Sequence, residues 1–175
     1  MTLPGKRSDM IVHQAEPLNA ESPRAALAAG DLTALDTFYV RSHGPIPSGD
    51  AASWRLRVCG LVERELSLPL DDLRAGFPVR TQIVTLQCAG NRREGFNAVR
   101  EIPGEVPWGP GATGTARWRG VALADVLEVA GLDDRARHVA FLGCDTSPEA
   151  DPPSRSAGRS HGERRWPGRC CWPGR

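Results

Sequence analysis

RTQIVTLQCAGNRR, residues 80–93, is a strand that runs into a loop at Cys88. Ile83, Val84 and Leu86 stand among β-branched threonines, the composition expected of an interior strand. The strand ends where Ala89 and Gly90 begin a loop that reaches Thr115. Loops of that length inside compact domains usually carry function. Cys88 therefore sits at a strand-to-loop junction, with Asn91, Arg92 and Arg93 just downstream. A thiolate is both nucleophile and soft metal ligand, and two guanidinium groups nearby make its surroundings attractive to anions. Alone, a cysteine at a strand end is more often core filler than a reactive group.

Upstream, Trp54, Leu56 and Val58 alternate with Arg55, Arg57 and Cys59, which predicts a half-buried strand followed by a turn over Gly60 to Glu65. Leu66 and Leu68 continue the alternation, and Pro69 to Arg74 reads as a short helix. Downstream, Leu123, Val126, Leu127 and Ala130 follow helical spacing, with Gly131 as the C-terminal cap. His138 to Leu142 is then expected as another buried strand. Strands and short helices mix without strict βαβ alternation, so the fold class is α+β. Residues 1–37 are expected to form an N-terminal arm, with two helical turns from Pro23 to Ala29, and residues 38–150 the patterned domain. Residues 151–175 hold six arginines, four prolines and four glycines, with no Leu, Ile, Val, Phe or Met, so this tail builds no core.

The 175 residues, 40% of them hydrophobic, suffice for one core, and the formal net charge of +1 gives no reason to expect nucleic acid as a partner. No apolar run is long enough to span a membrane, and the opening residues show no export signal, which places the protein in the cytoplasm. The five cysteines lack the paired spacing of a zinc site and do not suggest a disulfide framework.

Further candidates lie in Phe38-Tyr39-Val40-Arg41-Ser42-His43-Gly44-Pro45-Ile46-Pro47. In an extended segment Arg41 and His43 project to the same side, a pairing suited to a phosphate or sulfur oxyanion. Taken alone, such a stretch is more often a solvated loop before a proline turn. Trp108 and Trp118 flank a glycine-rich run that either approaches a ligand or simply packs on the core. Asp145 follows the strand ending in Gly143-Cys144, where an acceptor for amino groups of a cofactor would be presented.

In order along the chain, FYVRSHGPIP, TLQCAGNRR, GTARWRGV and HVAFLGCD resemble the molybdenum domain of sulfite oxidases, in particular the short cytosol-type form, with assimilatory nitrate reductases as relatives. IVHQAEPLNAESPRAAL and the 45-residue interval from His43 to Cys88 fit the same family. The resemblance covers roughly residues 10–150. It implies a molybdopterin-binding domain of mixed sheets and short helices, and oxidation of sulfite to sulfate by oxygen atom transfer at a cysteine-ligated molybdenum. Cys88 would be the metal's protein ligand, alongside the sulfurs of molybdopterin. Tyr39, Val40, Arg41, Ser42, His43 and Asp145 would bind the cofactor, and Arg41, Arg93 and Trp108 would line the anion pocket. Electrons would pass to oxygen or an external acceptor, since no haem or flavin site is seen.

Two departures from the family stand out. Ser42 replaces the asparagine usual between the arginine and the histidine. Family members also carry further cofactor and anion-pocket residues and a dimerisation domain that are not assignable here, which implies a chain truncated at its C-terminus or out of frame near Pro153. The readings in competition are a catalytically inactive remnant of the family, a relative that reduces nitrate or a sulfoxide, and a hydrolase using Cys88 and His43.

Overall fold

The computed structural model describes the backbone of residues 5–147 and 154–161 and the side chains of residues 5–144. In chain order its elements are β1 (Ile11–Gln14), β2 (Asn19–Glu21), α1 (Arg24–Ala28), β3 (Val40–Arg41), β4 (Arg55–Val58), β5 (Leu66–Pro69), α2 (Leu70–Gly76), β6 (Val79–Gln87), a 3-10 helix (Arg93–Ala98), β7 (Thr113–Val121), α3 (Leu123–Ala130), β8 (His138–Ser147) and β9 (Ser154–His161). This is the α+β mixture expected. The chain divides into two compact units rather than the single domain expected from its length. Unit 1 takes in residues 5–46, 82–118 and 144–147, and unit 2 takes in residues 47–81 and 119–143.

Unit 1 is organised on a three-stranded antiparallel sheet in the order β1-β2-β3, in which Asn19 pairs with Arg41 and Ala20 with Val40. All three residues of β2 are buried, and Ala20 packs with Met10 and Leu18. Residues 1–37 are thus corrected from a covering arm to a segment that supplies two of the three strands. Strands of four and three residues are too short to reveal themselves by alternation. β6 pairs with β7, and residues 82–87 and 113–118 of these strands belong to this unit. Cys88 N–H donates to the Ala112 carbonyl at 2.9 Å just beyond the paired strands, and Trp118 Nε1 donates to the Val84 carbonyl at 3.2 Å.

The expectation that β6 and β8 are buried strands is corrected as well. Ile83 on β6 is 61% exposed and Leu142 on β8 is 71% exposed. Branched and aromatic composition reports that a residue suits a pleated surface and does not count the layers that cover it. Ser154–His161, inside the segment expected as a featureless tail, is placed as β9 beside β8. Strand pairing draws on backbone N–H and C=O groups, which composition does not register. Cys170 and Cys171 lie outside the described residues.

Unit 2 follows its sequence pattern closely. β4 and β5 form an antiparallel pair from Arg55↔Pro69 to Val58↔Leu66, joined by a turn in which Gly60 takes φ 101°. α3 buries Val126, Leu127 and Ala130, and Gly131 ends it in the left-handed conformation at φ 71°. The Arg64 N–H and guanidinium donate to the carbonyls of Ala130 and Val129, satisfying acceptors that the helix end leaves open. The Arg80 guanidinium holds both carboxylate oxygens of Asp125 on α3 at 2.8–3.0 Å.

Candidate functional site

Arg41 and His43 are brought together as their spacing predicts. Arg41 Nη2 donates to His43 Nδ1 at 3.0 Å. A guanidinium has no acceptor, so this bond makes Nδ1 the acceptor and leaves the imidazole hydrogen on Nε2. The pair is held from below by Asn19, which is wholly buried on β2. Asn19 Oδ1 accepts from the Ser42 N–H at 3.0 Å and from Arg41 Nη1 at 3.3 Å, and its Nδ2 donates to the Ser42 carbonyl at 3.2 Å and to Gln14 Oε1 at 2.9 Å. Ser42 meets Asn19 through its backbone, so this arrangement does not depend on the serine side chain.

Arg41 and His43 line a cleft of about 330 Å³ together with His13, Gln14 and the segment Gly104 to Pro107. His13 comes from β1, and its Nε2 lies 3.5 Å from Glu21 Oε2. Glu21 is buried, and the His13 and Trp108 rings meet edge to face at a centroid distance of 5.2 Å. His13 Nε2, Glu21 Oε2 and Trp108 Nε1 are all buried without a hydrogen-bond partner among the described residues.

Cys88 is a half-buried free thiol whose sulfur receives the Gly90 N–H at 3.4 Å. The loop beyond it is fixed by Asn91, whose Oδ1 accepts from Ala112 N–H at 3.0 Å, and by Arg92, held in the left-handed conformation at φ 66°. Burial raises the Tyr39 phenol above its ordinary range, and negative charge on Cys88 adds to the effect, so these two residues share one electrostatic environment. Phe38 stacks on Tyr39 at 5.5 Å, and a Cβ at Gly114 would meet the Phe38 ring at 2.6 Å.

The other candidates fall differently from expectation. The Arg93 guanidinium pairs with Glu105 at 2.7 Å, donates to the Val106 carbonyl at 3.0 Å and lies over Gly90, where a Cβ would approach within 2.7 Å. It is engaged by Glu105 and does not line the cleft. Trp108 is fully buried and backs the cleft through His13, while its neighbours Val106 and Pro107 form the wall. Val40 is half-buried in β3. Asp145 lies on β8, and its side chain falls outside the described residues. Sequence reasoning missed Asn19, His13, Glu21 and Glu105. Asn19 acts on residues 22 and 23 positions away, a separation at which no periodicity signals a contact.

The donor chemistry suits a metal carried in by an organic cofactor. Among the described residues no group of three or more His, Cys, Asp or Glu converges to hold an ion. Cys88 instead offers a single soft ligand, and Arg41, His13 and His43 offer polar groups suited to anionic parts of a cofactor or substrate.

Residues 43–161 match the family described as oxidoreductase molybdopterin binding domain. Sulfite oxidase from Gallus gallus is 43% identical over 152 residues, covering 85% of this chain and 33% of the relative. Sulfite oxidase from Arabidopsis thaliana is 40% identical over 154 residues, covering 83% of this chain and 39% of the relative. The NAD(P)H nitrate reductase of Hordeum vulgare is 42% identical over 135 residues, covering 75% of this chain and 15% of the relative. The chain thus spans well under half the length of the curated relatives it matches. The crystal structure of the sulfane dehydrogenase SoxCD from Paracoccus pantotrophus matches with a TM-score of 0.62 at 22% identity, covering 80% of this chain and 35% of that one, a likeness of fold alone.

Proposed function

The chain belongs to the oxidoreductase molybdopterin binding domain family, and from that premise we propose that it serves a molybdenum-cofactor enzyme that oxidises sulfite to sulfate. When bound, the cofactor supplies two-electron redox chemistry and oxygen atom transfer. The protein's part is to hold and to select. Cys88 gives the metal its one protein ligand, and Tyr39 lies in the same electrostatic environment as the thiolate. Tyr39, Val40, Ser42 and Asp145 serve the pterin side of the site, and Trp108 backs the cleft. Arg41 and His43 present two directed N–H donors to an oxyanion, in a cleft where partial exclusion of water strengthens their hold.

The observation that carries this reading is the Arg41–His43 pair at 3.0 Å, opening on the cleft and locked by buried Asn19. Sulfite is favoured as substrate because the sulfite oxidases of two kingdoms reach 40–43% identity over more than four fifths of this chain. The barley nitrate reductase, at 42%, makes nitrate reduction the second reading. Electrons pass to oxygen or an external acceptor. No described helix is long and apolar enough to cross a membrane, and we place the protein in the cytoplasm.

Metal analysis and a sulfite assay with ferricyanide, both on chain produced in cells that make molybdopterin, test this. The expected results are stoichiometric molybdenum, lost in Cys88→Ser, and sulfite-dependent reduction of ferricyanide. Sulfur coordination unchanged in Cys88→Ser by X-ray absorption would exclude Cys88 as a ligand, and a chain without molybdenum supports the inactive remnant. Turnover with nitrate but not sulfite selects the second reading.

A further inference from the structure

Two imidazoles open on the cleft, and the structure gives them different partners. His43 Nδ1 receives a hydrogen from Arg41, so a proton added there would face a guanidinium N–H at 3.0 Å. His43 Nδ1 is thereby occupied, with the ring's Nε2–H as its donor. His13 is in the opposite situation. Its Nε2 lies 3.5 Å from the buried carboxylate of Glu21, and its ring packs edge to face with Trp108. A carboxylate only accepts, so Nε2, the ring nitrogen beside Glu21, is the one placed to carry a hydrogen. In the neutral ring Nδ1 is then a lone pair, which an anion avoids. Adding a proton turns Nδ1 into a donor and sets a cation beside buried Glu21, which lacks any hydrogen bond at Oε2.

We propose that His13, backed by Glu21, is a third anion-contacting side chain of this cleft and that an oxyanion entering it brings a proton onto His13. The proposal rests on the reading of the Arg41–His43 cleft as an anion site. The charged and titratable groups that back His13 or share its cleft are Glu21 from β2, Arg41 from β3, His43 just beyond it, and Glu105, which Arg93 pairs at 2.7 Å. Of these, only Glu21 is within ion-pair distance of the ring. Anion binding and proton binding are then reciprocal, each tightening the other.

Calorimetric titration of the full chain with sulfate, in two buffers of different ionisation enthalpy, measures affinity and proton uptake together. Wild type is expected to bind with net proton uptake. His13→Gln is expected to bind about tenfold more weakly, the value of one hydrogen bond to a charged group, and without uptake. Equal uptake in His13→Gln overturns the proposal while leaving the cleft an anion site. If sulfate binding is absent, or is unaffected by Arg41→Ala, the anion reading itself falls and the proposal with it. Should His13→Gln lose its fold by circular dichroism, imidazole NMR of the wild-type chain decides the same point. Sulfate must then move His13 toward its protonated form and leave His43 unchanged, and the reverse result refutes the assignment.

Discussion

The two units bury different things. In unit 1 the buried polar and charged residues Asn19, Glu21, Ser22 and Thr37 stand beside the buried apolar residues Met10, Ala20, Trp108 and Ala112. In unit 2 the buried residues are Leu73, Ala122, Val126, Leu127 and Ala130. A buried polar group costs free energy unless it is hydrogen-bonded, whereas apolar burial stabilises in proportion to area. Unit 1 offsets that cost by connection: Asn19 joins Gln14, Arg41 and Ser42, while Ser22 joins Thr37 through its hydroxyl and Gly111 through its N–H. The exceptions, His13 Nε2, Glu21 Oε2 and Trp108 Nε1, stand at the cleft wall or just behind it. Unit 1 thus adds directed polar groups to its apolar core, whereas among the described residues unit 2 buries apolar side chains alone.

Substitutions in each unit should separate those two kinds of burial. Asn19→Ala has the largest expected effect. It strands the Ser42 backbone and frees Arg41, destabilising by about 3 kcal/mol. It should also abolish sulfate binding, measured by calorimetry at a temperature where circular dichroism shows the variant still folded. Leu127→Ala leaves a cavity under α3 and should cost roughly 3 kcal/mol in denaturant unfolding. Sulfate affinity should be unchanged in that variant, and a fall would mean that the two kinds of burial are not independent.

The smallest effect belongs to the half-buried Asp133 in unit 2, whose carboxyl the hydrogen bonds from Arg135 hold at about 2, against an ordinary 3.8. A depressed carboxyl contributes stability above its unfolded value and loses it as pH falls through the folded one. Asp133→Asn keeps an acceptor for the Arg135 N–H, so melting temperatures of the two proteins should differ slightly at pH 5 and converge as pH falls from about 4 to 2. A difference that persists at the lowest pH would assign the effect to the turn rather than to the charge.

Much of unit 2 was legible in the sequence, since helical spacing from Leu123 to Ala130 with Gly131 after it expresses a contact made within one element. The Arg41–His43 pair was legible for the same reason, because two residues in an extended segment share a side. The exposure of β6 and β8 was not legible. Composition reports what a side chain prefers, while burial depends on which surfaces arrive to cover it.

The sequence by itself determined the α+β class, Cys88 at the end of its strand, the cation and imidazole two residues apart, and the family to which the motifs belong. Tertiary structure alone decided that Asn19 would lock that pair, that Glu105 would engage Arg93, and that Glu21 would stand behind His13. Local order follows from spacings within a few residues. The state and direction of a charged group follow from neighbours in space, and here those neighbours lie up to 23 residues away in the chain.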